Sequence, residues 1–406
     1  MFMIIGIDAS RANRQRKTGT EWYSFYLIKN LAAIDKNNTY WLYLNAPAAP
    51  ELIAAVKDNP NFIFKYLDWP FNSFWTLGRL SLEMLIRRPD VLFVPAHTLP
   101  LFGPRRTINT IHDVAFFREK NLYFSQKLKS QKFGLRAIIN LFVKILTFGK
   151  YQADSVDYLF WSTDFAVRHA RKIITVSEFT KREILQLCPK AKEQKIRVIH
   201  NGYNNELYRP IDDEKKVDAI LSKYNLTKPY FLYVGRLEKK KNTPTLIEAL
   251  SLLRDNHPEI KEKLVLIGNA SFGFDEVKYV IEEFDLNNDV LIPGWVDEED
   301  LPYVYNGASA FVFPTKHEGF GIPILESMAC GLPTIASDLP VIREVAGEAV
   351  SYFDQNDKND IARAMFRIIT DQNLRADLRA KGLEKSQQFS WRKCAQETLN
   401  ELEKID

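Results

Sequence analysis

Short apolar runs alternate with segments of helical periodicity through the first two hundred residues. A short apolar run bounded by turn residues is typical of a buried strand, and a longer periodic segment is typical of a helix. The alternation predicts a mostly parallel sheet covered by helices on both faces, an α/β architecture. The predicted strands are Met3–Ile7, Tyr40–Leu44, Phe62–Tyr66, Val91–Val94, Thr107–Ile111, Lys172–Val176 and Lys195–Ile199, and the clearest predicted helices are Thr20–Ile34, Ser73–Arg87 and Glu178–Leu187.

The second half of the chain repeats this alternation. Ligands of parallel sheets bind at the carboxyl ends of the strands, so the residues that follow each strand are candidates for chemistry. Asp297 is predicted to cap one helix of this half, and Ser390 is predicted to cap the last helix of the chain. The predicted strands are Tyr230–Val234, Leu264–Ile267, Val290–Pro293, Ala310–Phe313 and Thr334–Ser337.

Composition narrows the class of protein. The chain has 406 residues, enough for two domains, and its 46% hydrophobic and 26% charged residues are ordinary for a globular protein. The net charge of +4 gives no reason to expect a nucleic-acid partner. Three widely separated cysteines fit a reduced compartment, and neither a signal peptide nor an apolar run of about 18 residues is apparent. We therefore expect a cytoplasmic enzyme.

The stretch from Val312 to Ala336 carries the strongest functional signal. It predicts a strand, a glycine-rich loop and a short helix that has Pro323 at its first position and Gly331 just past its end. The start of a helix attracts an anion, most often a phosphate. Glu318 before the helix and Glu326, expected in its first turn, would lie near the same spot, where carboxylates can bind sugar hydroxyls. The alternative is a buried β-α-β unit without a ligand.

The segment from Glu318 to Glu326, Glu-Gly-Phe-Gly-Ile-Pro-Ile-Leu-Glu, resembles the Glu-x7-Glu motif of the large retaining glycosyltransferase family 4. This family includes bacterial mannosyltransferases and glucosyltransferases, and the resemblance runs from Gly6 to about Ser390. It implies the GT-B fold, two Rossmann-like domains facing each other across a cleft. Residues 1–202 would form the acceptor-side domain, with the helix 390–406 packing back on it, and residues 203–389 would bind the nucleotide-sugar.

Two basic residues follow the strand Tyr230–Val234. Arg236 and Lys241 would offer positive charge to a diphosphate leaving group, although a solvated surface turn is the alternative. Their Gly-Arg-x4-Lys pattern matches the diphosphate-binding pair of the family. The resemblance further implies that Glu326 holds the ribose, that Glu318 and His112 are the catalytic pair that positions the donor sugar, and that Gly19, Trp295, Val296, Gly319, Phe320, Gly321 and Ile322 contact the donor. From the residues alone, His112 is a strand-end histidine that could be structural, and Trp295 could equally be core.

A basic loop follows the first strand, from Asp8 to Glu21. Its cations, Arg11, Arg14, Arg16 and Lys17, indicate either a solvated loop or a mobile loop on the phosphate side of a ligand. The family often has a second glycine after the one at Gly19, where this chain has Thr20 and Glu21.

A basic and apolar segment extends from Ser125 to Lys150, with six basic residues and no acidic one. Lys132, Arg136, Asn140 and Lys144 recur at four-residue spacing, so a helix here would have a narrow polar stripe and a wide apolar face. Such a helix could belong to the domain core. It could instead lie in the interface of an anionic membrane, with Lys132–Phe148 as the docking segment.

The resemblance implies transfer of a hexose from a nucleotide-diphosphate sugar to a hydroxyl of a glycan or lipid-linked acceptor, with retention, in cell-surface polysaccharide synthesis. It implies no cofactor, and the sequence has no Asp-x-Asp motif that would indicate an essential metal. We expect a cytoplasmic location, and the alternative is peripheral attachment to the inner face of the cell membrane. A nucleotide-sugar epimerase of the same architecture and a non-catalytic nucleotide-sugar-binding protein are the rival interpretations.

Overall fold

The computed structural model describes residues 2–69, 75–119 and 155–405. The chain divides into two compact units: Met1–Asn201 together with Trp391–Asp406, and Gly202–Ser390. Each unit is built on its own parallel sheet with helices packed around it.

The first unit contains, within its described residues, a seven-stranded parallel sheet in the order β3-β2-β1-β4-β5-β6-β7. Its central strands are completely buried, as expected for a parallel sheet that is covered on both faces. The strand order reverses between β1 and β4, and the gap left at such a reversal is where ligands bind in open parallel sheets. The strands are β1 (Ile4–Asp8), β2 (Thr39–Leu44), β3 (Phe62–Tyr66), β4 (Val91–Val94), β5 (Thr107–Ile111), β6 (Lys172–Thr175) and β7 (Ile196–Val198).

The helices of the first unit connect these strands in chain order. A π-helical turn, Thr76–Leu80, leads directly into the third of them. The helices are α1 (Gly19–Ile34), α2 (Pro50–Val56), α3 (Ser81–Ile86), α4 (Ser155–His169) and α5 (Glu178–Leu187).

The second unit has a six-stranded parallel sheet among its described residues, in the order β10-β9-β8-β11-β12-β13. The order reverses between β8 and β11. The strands are β8 (Tyr230–Val234), β9 (Lys263–Ile267), β10 (Val290–Gly294), β11 (Ala310–Phe313), β12 (Thr334–Ser337) and β13 (Ser351–Phe353), and the helices are α6 (Glu214–Lys223), α7 (Thr243–Asn256), α8 (Phe274–Glu283), α9 (Leu301–Gly307), α10 (Ile322–Ala329), α11 (Pro340–Ala346), α12 (Lys358–Thr370) and α13 (Gln372–Ser386).

The last helix, α14 (Trp391–Glu403), belongs to the first unit. Its Trp391 ring stacks on Tyr26 of α1 at 5.6 Å between centroids, and Tyr26 in turn stacks on Trp22 at 5.3 Å. At the other end of α14, Glu401 pairs with Lys172 at 2.5 Å. Aromatic stacking and an ion pair therefore hold the carboxyl end of the chain on this unit.

The predicted strands are present, each within one residue of its predicted bounds. The edge strand β13 was not predicted. Of the predicted helix Ser73–Arg87, the described part is the π-helical turn followed by α3. The predicted membrane or core segment, Lys132–Phe148, lies outside the described residues.

The loop after β1 was interpreted as a solvated loop or as a loop on the phosphate side of a ligand. Lys17 fits neither interpretation. Its side chain is 1% exposed, its ammonium pairs with Glu51 of α2, and it lies 5.1 Å and 5.0 Å from the ring centroids of Trp22 and Phe25. A buried ammonium needs such partners, and here they tie the loop to two helices. Lys17 is therefore an anchor of the loop and cannot meet a phosphate.

Candidate active site

The reversal of strand order in the second unit brings the ends of β8 and β11 side by side. The two strands pair in parallel, with Ala310 beside Phe231 and Phe311 beside Leu232. Their carboxyl ends therefore open at the same edge of the sheet, where ligands of this architecture bind.

Two glycines fix the path of the chain as it leaves β8. Gly268, after β9, has φ +143°, and a Cβ there would lie 2.0 Å from the carbonyl oxygen of Gly235. The amide of Gly235 donates to Ile267 O at 2.9 Å, so the two strand-end turns are packed backbone to backbone. Only glycine permits that approach, and it determines where Arg236 leaves the sheet.

Arg236 is the exposed cation of this edge, with 52% of its side chain accessible to solvent. Its guanidinium lies 3.7 Å from the carboxylate of Glu238, which is a loose ion pair. The guanidinium can therefore turn to a ligand anion at little cost, as the predicted diphosphate role requires.

Lys241 and Glu318, predicted from separate motifs, are direct neighbours. A 3-10 turn, Lys239–Lys241, lies against the loop after β11, and Lys316 N donates to Lys240 O at 2.9 Å. This backbone contact places the Lys241 ammonium against the Glu318 carboxylate in a largely buried ion pair. The ammonium also lies 5.5 Å from the centroid of the Phe313 ring.

The helix α10 begins where the sequence predicted, with one difference of register. Gly321, at φ +95°, is the residue that enters the helix, Ile322 is its first residue and Pro323 its second. Gly331, at φ +69°, lies just past the end, as predicted. Because the helix starts at Ile322, Glu326 is its fifth residue and belongs to the second turn, so the expectation of a first-turn glutamate was wrong.

Glu326 lies in a pocket of aromatic hydroxyls. The Tyr305 hydroxyl of α9 donates to its Oε2 at 2.9 Å, and the Tyr208 hydroxyl also bonds the carboxylate. Burial raises the pKa of Glu326 to about 7, and the two tyrosine hydrogen bonds oppose this rise, while Glu298 adds to it. The carboxyl can therefore change its ionisation near neutral pH, and a hydroxyl-bearing ligand could shift that equilibrium.

The other predicted donor-binding residues of this unit differ in what they can offer. Trp295 follows β10 and is partly exposed, whereas the side chain of Val296 is buried. Gly319 precedes Phe320, whose ring packs edge-on against Phe389 at 5.8 Å and so leaves its backbone for any ligand contact. Asp297 does not cap α9: that helix begins at Leu301, and the Asp297 carbonyl accepts the amides of Asp300 and Leu301 at 3.0 Å each.

The corresponding edge of the first unit carries a different kind of group. At the end of β1 the buried Asp8 accepts the Ser10 amide at 3.1 Å, the Ser10 hydroxyl at 2.6 Å and the Thr76 hydroxyl at 3.1 Å. Burial raises the pKa of Asp8. Near it, the hydroxyls of Thr98 and Tyr158 are 3.0 Å apart. These residues are scattered along the chain, so no sequence motif could have grouped them.

His112 follows β5 and is buried at this edge. Its Nε2 donates to the Pro95 carbonyl at 3.2 Å, which leaves Nδ1 as the acceptor nitrogen, and its ring meets Tyr23 edge-on at 4.8 Å. Burial lowers the pKa of His112 to about 3, with the neighbouring His97 acting in the same direction. The imidazole is therefore neutral at physiological pH.

Gly19 is the exposed first residue of α1, with open space where a side chain would be. The start of this helix already holds a carboxylate, because Glu21 accepts from the Thr18 amide at 3.2 Å and from Arg11 at 3.2 Å. Burial raises the pKa of Glu21, but the Thr18 and Arg11 interactions outweigh it and the pKa is lowered. The residue that replaces the second glycine of the family thus occupies the helix start itself.

In the part of the chain that the structure describes, no group of three or more His, Cys, Asp or Glu side chains could hold a metal ion. Over the same residues, no helix is both long and apolar enough to cross a membrane.

Comparison with known families and proteins decides the class. Residues 18–207 match the model described as Glycosyltransferase Family 4, and residues 216–385 match the model described as Glycosyl transferases group 1. The O-antigen chain mannosyltransferase B of Escherichia coli is 31% identical over 328 residues, which are 80% of this chain and 82% of that protein. The chain belongs to the family 4 glycosyltransferases.

Solved structures show the fold of this glycosyltransferase. Sucrose-phosphate synthase from Thermosynechococcus elongatus matches with a TM-score of 0.73 at 20% identity, covering 98% of this chain and 97% of that one. HepE of Anabaena, solved in complex with UDP and glucose, matches with a TM-score of 0.68 at 18% identity over the full length of both chains. The glycosyltransferase therefore has the GT-B fold, built from two Rossmann-like units. Its class sets aside the interpretations as an epimerase or a non-catalytic binding protein.

Proposed function

We propose that this glycosyltransferase moves a hexose, with mannose as the first candidate, from a nucleotide-diphosphate sugar to a hydroxyl of a glycan or lipid-linked acceptor in cell-surface polysaccharide synthesis. The observation that carries the proposal is the convergence of Arg236, Lys241 and Glu318 at the strand-order reversal of the second unit, beside the start of α10. Mannose is suggested by the named activity of the E. coli relative, and a nucleotide diphosphate by the UDP bound to HepE.

Transfer of the sugar requires positively charged groups beside the leaving diphosphate. When the bond between the anomeric carbon and the β-phosphate oxygen breaks, negative charge builds on the diphosphate. Arg236 would take part of it through its two-pronged guanidinium and Lys241 through its ammonium. In the free protein Lys241 is neutralised by Glu318. A bound diphosphate would compete for Lys241 and free Glu318 to accept hydrogen bonds from the sugar hydroxyls.

We infer retention through attack on the same face of the sugar. The acceptor oxygen bonds to the anomeric carbon as the phosphate oxygen leaves, and the acceptor proton passes to that departing oxygen. No covalent enzyme intermediate is needed. His112, neutral because of its low pKa, would orient the donor sugar by hydrogen bonding and would not supply charge.

The nucleoside would lie along the same edge of the second unit. Glu326 would accept hydrogen bonds from the ribose hydroxyls, and Trp295 with the backbone of Val296 would border the base. Gly319 to Ile322 would present backbone amides to the phosphates and sugar. Gly19, exposed at the start of α1, would leave room for the donor phosphates on the first unit.

The test is acceptor-dependent transfer. GDP-mannose, UDP-glucose and UDP-galactose are each incubated with mannosylated acceptors, free and lipid-linked, and the products are weighed by mass spectrometry. The proposal expects an acceptor that gains one hexose and a donor consumed only when acceptor is present. Consumption or isomerisation of the donor without any acceptor product would contradict it.

A finer part of the proposal places the enzyme on an anionic membrane at the inner face of the cell. It rests on Lys132–Phe148 and on an exposed surface of the first unit. Helix α3 exposes Leu82, Leu85 and Ile86, the last at 80%, and the Leu101 amide bonds Ser81 Oγ at 2.8 Å, which places exposed Leu101 and Phe102 beside that helix. Two exposed arginines, Arg88 and Arg105, follow Ile86 and Phe102 closely in the chain.

Apolar side chains bordered by arginines fit the interface of an anionic bilayer, where each basic residue contributes about 1 kcal/mol. Sedimentation with phosphatidylglycerol vesicles at low salt tests this. The parent should pellet, and both Lys132/Arg136/Lys144→Glu and Leu85/Ile86→Glu should stay in solution with unchanged melting temperatures. A parent that remains in the supernatant contradicts the membrane proposal and leaves sugar transfer untouched.

A further inference from the structure

Tyr305 is a buried tyrosine whose hydroxyl reaches a residue of the proposed donor site. It lies on α9, outside every motif that the sequence presents, and it donates to Glu326 Oε2 at 2.9 Å. Its ring is fixed on two sides, by Tyr208 edge-on at 5.8 Å between centroids and by Phe311 at 5.5 Å. A side chain held in this way cannot swing away from its partner, so the direction of its hydroxyl is set by the core.

Tyr208 contacts the same carboxylate from a different segment of the chain. It belongs to the segment through which the chain enters the second unit, and α9 holds this segment through Asn306, whose side chain accepts from the Ile211 amide at 2.8 Å and donates to Arg209 O at 3.0 Å. One short helix therefore supplies Tyr305 directly and fastens Tyr208 in place.

We propose that Tyr305 is a positioning residue for nucleotide recognition: its hydroxyl holds the Glu326 carboxylate in the orientation and ionised state that the two ribose hydroxyls require, with Tyr208 as the second support. The proposal rests on the assignment of Glu326 to the ribose in the proposed function. It assigns a task to α9, which carries no motif of the family.

The strength with which a carboxylate binds the two ribose hydroxyls depends on its ionisation. Two neighbouring hydroxyls donate most strongly to an ionised carboxylate, because protonation turns one carboxyl oxygen into a donor and reduces the acceptor capacity. The groups that face Glu326 are Tyr305, Tyr208, Glu298 and Cys330, which caps the end of α10. Burial and Glu298 favour the neutral carboxyl, and the two tyrosines favour the carboxylate. Burial keeps the pKa of Tyr305 well above its usual range, so it remains a donor throughout.

The test compares a ribonucleotide with its 2′,3′-dideoxy analogue. Calorimetry gives the Kd of GDP and of 2′,3′-dideoxy-GDP, and of the uridine pair, for the parent, Tyr305→Phe and the matched control Tyr303→Phe. Tyr303 is on the same helix and contacts Lys216. The parent should prefer the ribonucleotide by about tenfold or more, the scale of hydrogen bonds to a charged group. Tyr305→Phe should reduce this preference about fivefold or more and leave the dideoxy Kd within about twofold.

The pH dependence of the nucleotide Kd values provides a second measurement. Because both nucleotides carry the same diphosphate, the ratio of their Kd values reports only the ribose contact. In the parent this ratio should grow from pH 6 to pH 8 as Glu326 ionises, with a midpoint near its pKa of about 7. Loss of the Tyr305 bond removes support for the carboxylate, so the midpoint should move to higher pH in Tyr305→Phe.

Three results distinguish a failure of the Tyr305 proposal from a failure of the proposed function. Equal weakening of both nucleotides in Tyr305→Phe would mean a purely structural role and would overturn the proposal. An unchanged ratio in Tyr305→Phe, with a collapsed ratio in Glu326→Gln, would overturn it and leave the proposed function standing. An unchanged ratio in Glu326→Gln would remove the ribose assignment and this proposal together. If Tyr305→Phe does not fold, Tyr208→Phe replaces it, and there too an unchanged ratio overturns the proposal.

Discussion

The two units present the same edge of the same kind of sheet, and the chemistry at the two edges differs. In the second unit the edge carries cations: Arg236 is half exposed, and Lys241 forms a largely buried ion pair with Glu318, for which the proposed diphosphate would compete. In the first unit the charges are already satisfied, since Arg11 pairs with Glu21 and Asp8 is buried under hydroxyl donors. A charged edge suits a diphosphate, and an edge of neutral hydrogen-bonding groups suits an uncharged sugar.

The difference also lies in how each edge is encoded. Arg236 and Lys241 are five residues apart, and Glu318 and Glu326 are eight apart, so each pair is visible as a motif. The polar groups of the first unit come from several separate segments and meet only through the fold. Substitutions at the two edges should therefore separate donor affinity from turnover.

The largest effect is expected for Lys241→Ala. The change removes a cation from the diphosphate and leaves Glu318 without its partner in a largely buried position. We expect kcat/KM for the donor to fall by about 3 kcal/mol, roughly a hundredfold. Steady-state kinetics measures this, with Lys239→Ala of the same turn as the control. Equal kinetics in the two variants would rule out the assignment.

A smaller loss is expected for Arg236→Ala. The guanidinium is half exposed, so solvent and salt screen part of its interaction with the donor. We expect about 1.5 kcal/mol, roughly tenfold, mostly as a weaker donor Kd. The loss should shrink at high salt, and a donor Kd unaffected by the substitution at low salt would refute the role.

His112→Asn tests the first unit. The expected result is a fall in kcat of roughly tenfold with the donor Kd little changed, because the imidazole would orient the sugar and not hold the phosphates. With a pKa of about 3, His112 should contribute no limb to the pH–rate profile between pH 5.5 and 8. A donor Kd that weakens as much as in Lys241→Ala would erase the proposed distinction between the two edges.

The contributions of His112 and Glu326 to the stability of the protein should change with pH in opposite directions. The lowered pKa of His112 contributes stability above pH 6.5 that is lost as the pH falls towards 3, whereas the raised pKa of Glu326 contributes stability at low pH that is lost as the pH rises through about 7. Melting curves should show less acid sensitivity for His112→Asn and a higher melting temperature at pH 8 for Glu326→Gln. Unchanged curves for both would contradict the burial argument.

The smallest effect is expected from removal of metal. Within the described residues no carboxylate group with metal-binding geometry was found, and Arg236 with Lys241 would supply the charge that a metal gives in other transferases. Activity after treatment with EDTA should stay within about a factor of two. Loss of activity that Mg²⁺ or Mn²⁺ restores would show that the cations of the second unit are not sufficient.

The strands and the second-unit motifs were accessible from the sequence, and the side-chain environments were not. Apolar runs and glycine punctuation located β8, β11 and the start of α10 within one residue. Lys17 in a polar run looked solvated, but its burial depends on Glu51 and two aromatic rings that only the fold brings near. Tyr305 was missed for the same reason, because its partner lies 21 residues further along the chain.

Helix starts were the other source of error. Asp297 resembled a cap, yet it only opens a turn that leads into α9, and the helix itself begins at Leu301. Glu326 was placed one residue too early in its helix, because α10 begins at Ile322 and not at Pro323. A side chain that can accept one amide bond favours several neighbouring starts almost equally, and packing decides among them.

The anomeric configuration of the product distinguishes attack on the same face of the sugar from attack on the opposite face. An α-linked nucleotide-diphosphate mannose labelled with ¹³C at the anomeric carbon is incubated with a glycan acceptor, and the one-bond C–H coupling of the product is read by NMR at early times. We predict that the parent forms an α-mannoside and that the Lys241→Ala variant forms much less of it. A β-mannoside would contradict attack on the same face of the sugar, and with it the proposed roles of the diphosphate and its two cations.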